Sequence, residues 1–215
     1  VNFRYAVIAT GTEPFIPDIQ GISDIRYFTN ETIFSLTELP EHLIILGGGA
    51  IGIELAQAFI RLGSKVSIID ANFILQNQDK EFKESIYNLL KMEGVSIYEQ
   101  SSPKKLATNE GNISVHTNQH VISGTHLLIA TGRIPLTTKL QLENAGVEIQ
   151  NGLIKTNQHL RTNNKRIYAV GDVATTKRHT NMASAHASIA IQNILLKVPA
   201  KIDPNIIPYT IYVEP

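Results

Sequence analysis

Three glycines and one acid are the residues of this chain best spaced to do chemistry. Gly47-x-Gly49-x-x-Gly52 follows the apolar run Leu43 to Leu46 and opens a helical pattern from about Ala50 to Leu62, ended by Gly63. Asp70 stands eighteen residues beyond Gly52, closing a second apolar run, Lys65 to Ile69. Strand, glycine turn, helix and a second strand ending in an acid form a unit that holds a dinucleotide. Gly47 permits the tight turn, Gly49 lets the backbone approach a pyrophosphate, and Gly52 lets helix and strand pack closely. Gly48, Ala50 and Ile51 complete the turn, where the free amides at the helix start face the phosphates. A carboxylate at Asp70 accepts a hydrogen bond from a ribose 2′-hydroxyl and repels a 2′-phosphate. No Lys or Arg lies between Ala71 and Asp79 to reverse that preference, so NAD is expected rather than NADP. The bland alternatives are a ligand-free strand-to-helix turn and an Asp that serves only its own turn.

A second signal occurs twice. Tyr5-Ala6-Val7-Ile8-Ala9-Thr10-Gly11-Thr12-Glu13-Pro14 and His126-Leu127-Leu128-Ile129-Ala130-Thr131-Gly132-Arg133-Ile134-Pro135 are each an apolar run ending in Ala-Thr-Gly, with Pro three residues on. The copies flank the glycine motif. They suggest two nucleotide-binding units, one complete and one whose opening half is missing. The chain opens on Val1 without an initiator methionine, as a truncated or processed chain would.

The elements that must position these residues give an α/β fold. It is expected as a Rossmann-like parallel sheet with helices on both faces and a small antiparallel meander, beside an incomplete second nucleotide-binding portion. Tyr5 to Ala9 predicts a short buried strand. The Pro- and Gly-punctuated stretch 12–40 predicts a connection with one short helix, Thr32 to Leu36, capped by Asn30. Lys80 to Met92 predicts an amphipathic helix with Phe82, Ile86, Leu89 and Leu90 on one face, stopped by Gly94. Val95 to Tyr98 is a third strand, and Asn109-Glu110-Gly111-Asn112 a hairpin turn. Val121 to Ala130 reads as one strand, Arg166 to Val170 as another, and Ala183 to Leu196 as an Ala-rich helix. Pro199, Pro204 and Pro208 punctuate the tail.

Composition excludes several functions. Nineteen basic residues balance nineteen acidic ones, which gives no electrostatic footprint for nucleic acid or an anionic membrane. No apolar run is long enough to span a bilayer, and no signal peptide is legible, so a cytoplasmic location is expected. Cysteine is absent, which removes disulfides, thiolate metal sites and thiol–disulfide chemistry from these residues. His116 and His120 sit on a strand-and-turn stretch, where four residues span about 13 Å, too far for a shared metal unless the chain bends. No metal site is expected.

Taken together, four motifs in order resemble the flavin-dependent pyridine nucleotide-disulfide oxidoreductases. They are Ala6-Val7-Ile8-Ala9-Thr10-Gly11, Gly47-Gly48-Gly49-Ala50-Ile51-Gly52-Ile53-Glu54-Leu55-Ala56, Ala130-Thr131-Gly132-Arg133-Ile134-Pro135 and Ile167-Tyr168-Ala169-Val170-Gly171-Asp172. The Asp70 acid and the His179 to His186 segment look nearest the dihydrolipoamide dehydrogenase and mercuric reductase branch. The resemblance implies a central fragment of a longer flavoenzyme. Its plan would be residues 1–37 as a partial FAD-domain segment, 38–131 as the NAD-binding domain, 132–204 as the returning FAD-domain segment, and 205–215 as the start of a dimerisation domain. The first FAD fingerprint and the redox cysteine pair would precede Val1. The parent would be a homodimer using NAD and FAD, with FAD binding by the fragment itself doubtful.

Residue by residue, the resemblance implies that Thr10 and Gly11 pass beside FAD and that Gly132 lies where the chain returns, near NAD. It implies that Asp172 hydrogen-bonds the FAD ribitol and Gly171 gives close backbone approach. Glu54 is implied as the catalytic-site glutamate, positioning nicotinamide and tuning the flavin's surroundings without acting as a nucleophile; an early-helix acid favoured by the dipole is its bland alternative. Arg133 is read as either a surface charge or a linker anchor. His179 and His186 either approach the flavin or serve a cap or the core. The implied reaction is hydride transfer between NAD(H) and FAD, with a disulfide or small-molecule substrate reached through other segments. The alternatives are an NADH oxidase, NADH dehydrogenase or ferredoxin-type reductase without a cysteine pair, and a non-catalytic NAD-binding module. The fragment alone is expected to be inactive.

Overall fold

Strands buried on both faces carry unbroken apolar runs, and Leu43-Ile44-Ile45-Leu46 is such a run. The computed structural model describes residues 2–109, 111–203, 205–206 and 208–215. Val1, Glu110 of the expected hairpin turn, Pro204 and Ile207 lie outside the described residues. In chain order the strands are β1 (Ala6–Ile8), β2 (Thr12–Pro14), β3 (His42–Leu46), β4 (Lys65–Ile69), β5 (Ser96–Tyr98), β6 (Pro103–Asn109), β7 (Asn112–Thr117), β8 (Val121–Gly124), β9 (His126–Ile129), β10 (Arg133–Pro135), β11 (Ile149–Gln150), β12 (Leu153–Ile154) and β13 (Ile167–Ala169). The helices are α1 (Ala50–Leu62), α2 (Lys80–Met92) and α3 (Thr180–Ile191). The chain forms two compact units. The first holds the residues up to Glu13 together with Arg133–Thr210, and the second holds Pro14–Gly132 with Ile211–Pro215.

The second unit is built on a parallel sheet in the order β5-β4-β3-β9. Alternation along each strand sends neighbouring side chains to opposite faces. Leu43, Ile45, Val66, Ile68 and Leu128 pack with Ile53 and Ala56 of α1 and with Ile86 and Leu90 of α2. Ile44, Leu46, Ile69 and Leu127 pack instead with Leu106, Ile113, Val115 and Ile122 of the antiparallel meander β6-β7-β8. Helices therefore cover one face and the meander the other, in place of helices on both. The cause is topological. α1 and α2 join strands that step the same way across the sheet, and right-handed crossovers stepping one way fall on one side. On α2 the buried stripe is Ile86 and Leu90, while Phe82 is 41% exposed.

Residues 14–37 also pack into this unit. Ile19 and Ile25 join the meander-side core, Phe28 and Ile33 the helix-side core. The helix expected at 32–36 is a single tight turn, Ile33–Ser35. Thr32 rather than Asn30 precedes it, with Thr32 Oγ1 accepting the Thr29 amide at 2.9 Å.

In the first unit, β1 pairs in parallel with β13. Ala6 and Ile8 join a core of Leu142, Val147, Ile154, Ile167, Ala169 and Val173. β1 is half-exposed rather than buried: Val7 points away from that core and is 48% exposed. The Ala-rich helix begins earlier than its pattern suggests, at Thr180, and passes at Gln192–Leu196 into a wider turn that ends on Lys197 in the left-handed region. No helix among the described residues is long and apolar enough to cross a membrane.

The single strand expected from Val121 to Ala130 is two strands in two sheets. β8 ends at Gly124, and the chain changes sheet before β9. Thr125 fixes the crossing, its amide donating to the His42 carbonyl at 2.9 Å and its Oγ1 accepting the His42 amide at 3.1 Å. Ser123-Gly124-Thr125-His126 interrupts the apolar residues at the break, and Gly124 is sterically required there. A Cβ there would lie 2.8 Å from Ile44 Cγ1 and 2.9 Å from the His42 oxygen. Gly124→Ala is expected to lower unfolding stability by roughly 1–3 kcal/mol, as overpacking does, and urea titration measures it.

Candidate functional site

The glycine turn between β3 and α1 shows a separate physical reason for each glycine. Gly47 has φ +107°, and a Cβ there would overlap the Ala130 carbonyl. A Cβ on Gly48 would lie 2.5 Å from Ile74 Cγ2. A Cβ on Gly52 would overlap the Gly47 carbonyl, so α1 starts against the turn with no room between. Gly49 differs: no protein atom lies within 4 Å of where its Cβ would be. It precedes α1 with no side-chain cap, beside amides that have no intrahelical acceptor. Among the described residues nothing fills the space beside Gly49, and a pyrophosphate fits both that opening and those amides.

Asp70 faces the same turn. Its Oδ2 accepts the Gly48 amide at 2.6 Å and its Oδ1 the Asn72 amide at 2.7 Å. The acid therefore makes its own turn and also holds the glycine turn, so the bland reading is part of the arrangement. A carboxylate has about four acceptor positions, which leaves capacity for a ribose hydroxyl. The loop behind it is tied down by Gln100 and Ser101, whose amides donate to the Asn72 and Asp70 carbonyls at 2.8 Å each. These residues fit the adenosine half of a dinucleotide. Glu54, in the second turn of α1, accepts the Tyr212 amide on Oε1 at 3.0 Å.

The two Ala-Thr-Gly copies make matching bonds. Within the first unit, Thr10 Oγ1 donates to the Leu136 carbonyl at 2.9 Å and the Leu136 amide to Gly11 at 3.0 Å. Within the second, Thr131 Oγ1 donates to the Phe15 carbonyl at 2.9 Å and the Phe15 amide to Gly132 at 2.9 Å. Gly11 and Gly132 both have positive φ, and no atom lies within 4 Å of either Cβ position.

Asp172 is brought to the residues that follow these glycines. Its Oδ2 accepts Thr12 Oγ1 at 3.1 Å. Arg133 Nε donates to the same Thr12 hydroxyl at 2.7 Å, and Arg133 Nη2 to the Thr12 carbonyl at 2.7 Å. Arg178 donates from Nη1 to the Arg133 carbonyl. Arg133 is therefore an anchor rather than a loose surface charge. Thr12 is the residue sequence reasoning missed. The signal was its register: Thr12 and Arg133 occupy the same place after Gly in the two copies. Gly171 takes φ +72° and donates its amide to His186 Nδ1 at 3.1 Å. His186 is thus a core support for the Gly171-Asp172 turn. His179 precedes α3 and its ring lies against Tyr209, centroids 4.1 Å apart. The half-buried Asp172 carboxylate on a glycine turn fits the hydroxyls of a ribitol chain. His116 hydrogen-bonds Ser114 and His120 packs on Tyr98; among the described residues no group of three or more His, Asp or Glu is placed to hold a metal.

Comparison with known proteins gives a consistent set of relatives. The family profile described as Pyridine nucleotide-disulphide oxidoreductase matches residues 1–191. A mercuric reductase of Streptomyces lividans is 34% identical over 220 residues, covering 100% of this chain and 46% of that protein. The probable pyridine nucleotide-disulfide oxidoreductase RclA of Escherichia coli is 32% identical, over 97% of this chain and 48% of its own length. The solved structure of RclA, a HOCl-induced flavoprotein disulfide reductase, superposes with TM-score 0.86 at 31% identity, covering 92% of this chain and 46% of that one. The chain spans about half the length of the curated relatives it matches.

Two expected outcomes follow from this geometry. Gly49→Ala leaves the melting temperature within a degree or two but removes dinucleotide binding, whereas Gly52→Ala unfolds at a stability roughly 1–3 kcal/mol lower; thermal melts paired with ligand titration separate them. Burial holds the His186 pKa below that of a free imidazole, and protonating Nδ1 would also break the Gly171 bond. The unfolded chain takes up this proton from about pH 6.5 downward while the folded one resists, so stability falls from that pH to the lower folded value. His186→Gln should flatten this part of an acid denaturation curve.

Proposed function

This chain belongs to the pyridine nucleotide-disulphide oxidoreductase family, and from that premise we propose that its second unit binds NAD(H), that its first unit supplies part of a FAD site, and that the longer protein passes a hydride between the two. The observation that carries this reading is Gly49, the fingerprint glycine whose Cβ position has no atom of another described residue within 4 Å. Gly47, Gly48 and Gly52 answer to neighbouring protein atoms, and Gly49 answers to a ligand.

Nicotinamide and flavin supply the redox chemistry when bound, a hydride carrying two electrons from one ring to the other. The chain's own residues do the holding. Amides at the start of α1, with Gly48, Ala50 and Ile51, receive the pyrophosphate. Asp70 receives the adenosine ribose. Glu54 orients the nicotinamide end. Thr10, Gly11, Gly171 and Asp172 hold the flavin side, with Asp172 accepting ribitol hydroxyls, and Gly132, in the second unit, lies near NAD. The domains of this proposal follow compactness: the NAD-binding part is the second unit, including residues 14–37, and the FAD part is the first.

The second substrate is proposed from the relatives, whose names specify mercuric ion and disulfide reduction. Either chemistry uses thiols, and this chain holds no cysteine. Those thiols therefore belong to another part of the protein, which we propose to be a homodimer as the family resemblance implies.

Calorimetric titration with NADH and NADPH in parallel tests the reading. Saturable NADH binding with much weaker NADPH binding is expected, and a folded chain that binds neither overturns it. Asp70→Ser with Ala71→Arg should shift the NADH/NADPH affinity ratio toward NADPH by roughly 10- to 100-fold, the worth of one or two charge-assisted hydrogen bonds. The ratio is the proper readout, because Asp70 also holds Gly48 and both affinities will drop with the turn loosened. A double variant with the parent's ratio refutes the role of Asp70.

A further inference from the structure

Residues Ile211–Pro215 belong to the second unit, where they lie along α1 and are read by three of its side chains. Glu54, Gln57 and Arg61 share one helix face by their three- and four-residue spacing. Glu54 Oε1 accepts the Tyr212 amide at 3.0 Å. Gln57 Nε2 donates to the Glu214 carbonyl at 2.6 Å, and Gln57 Oε1 accepts the Glu214 amide at 2.9 Å. Arg61 donates to the Glu214 carbonyl at 2.7 Å and meets its carboxylate at 3.1 Å. Between these bonds Ile211 is buried in the helix-side core and Val213 packs against it. Tyr212 contributes only its main chain, since its side chain is 75% exposed.

Gln57 is the pivot. It is 4% exposed, and a buried amide costs free energy unless both its ends are bonded. Its donor and its acceptor engage one residue's carbonyl and amide, as a neighbouring strand would. Arg61 is exposed and shares its charge between Glu93 and Glu214, so it reinforces rather than defines the register. Glu54 sits one turn before Gln57. A free glutamate carries about 1.5–2 kcal/mol of rotamer entropy. Here the Tyr212 amide selects one arrangement of the carboxylate.

We propose that Gln57 is a positioning residue for Glu54: by clamping the main chain at Glu214 it sets the Tyr212 amide that holds the Glu54 carboxylate for the nicotinamide. This rests on the NAD(H) and hydride-transfer reading above. A simple chain anchor would affect stability alone. A positioning residue affects the hydride step, and only through Glu54.

The test uses the FAD-loaded full-length protein with four variants. Gln57→Met keeps the size and removes both bonds to Glu214, together with the Nε2 bond to Glu93 at 3.1 Å. Tyr212→Pro deletes the amide donor along with a side chain that is 75% exposed. Proline suits that place because the Val213 amide bonds the Ile211 carbonyl at 3.1 Å, a three-residue turn whose central residue takes a φ near that of proline. The others are Glu54→Ala and Glu54→Ala combined with Gln57→Met. Flavin reduction by NADH is followed by rapid mixing without oxygen, giving a limiting rate and an NADH Kd. Gln57→Met and Tyr212→Pro should each slow the limiting rate about tenfold, within the range of a small misplacement, with Kd changed less than about twofold. Gln57→Met should add nothing once Glu54 is alanine. Unchanged rates, or effects that multiply in the double variant, overturn the proposal. A second readout needs no turnover: amide exchange across 211–215 should quicken in Gln57→Met and at Tyr212 in Glu54→Ala, and unchanged exchange also overturns it. A wild-type flavin that NADH does not reduce refutes the functional reading itself. The exchange result then decides separately whether Gln57 clamps the segment.

Discussion

The close approach of α1 to the glycine turn is the constraint on which the site depends. With Gly52 against the Gly47 carbonyl, and Gly47 against Ala130, neither β3, α1 nor β9 can shift without collision. This fixes the direction of α1 and hence the place where its unpaired amides emerge. It also brings the end of β4 close enough for Asp70 to take the Gly48 amide. The same glycines that let the elements touch leave, at Gly49, a Cβ position with no other described residue within 4 Å.

The repeated Ala-Thr-Gly has a mechanical role beside its family resemblance. In each copy the threonine hydroxyl and the glycine carbonyl engage the chain four residues beyond the other copy's glycine. The next position in the two copies, Thr12 and Arg133, forms a bonded pair that also reaches Asp172. A repeat that closes on itself explains why a threonine recurs where hydrophobicity and turn propensity alone would accept many residues.

Much of the fold was legible because local signals agreed. Ala50 to Leu62 was bounded by glycines at both ends, and the structure has that helix with those limits. β3, β4 and the acid after β4 were equally plain. The failures have particular causes. The second face of the sheet was misassigned because the apolar runs of β3 and β4 show that a layer covers them but not which kind. The break at Gly124 was missed because the polar Ser123-Gly124-Thr125-His126 can lie within one strand as well as between two, and the contact with Ile44 decides between these. Asn30 and Thr32 are both plausible cap residues, and a single turn gives no periodicity to choose between them. Gln57 carried no signal at all, since its partner lies 157 residues away.

Asp70 and Glu54, both in the second unit, share a device. Asp70 is held by the Gly48 and Asn72 amides, and Glu54 by the Tyr212 amide. Among the described residues neither forms an ion pair with Lys or Arg. Orientation by a basic side chain would largely cancel the carboxylate charge and would fill acceptor positions that the proposed ribose contact requires. Orientation by main-chain amides uses one lone pair per oxygen and adds no formal charge. It also draws on atoms already fixed by the fold, so the ligand meets carboxylates that have lost their freedom before it arrives. The selectivity proposed for Asp70 and the positioning proposed for Glu54 thus follow from one choice of partner, and each takes an amide outside the glycine fingerprint, that of Asn72 or of Tyr212.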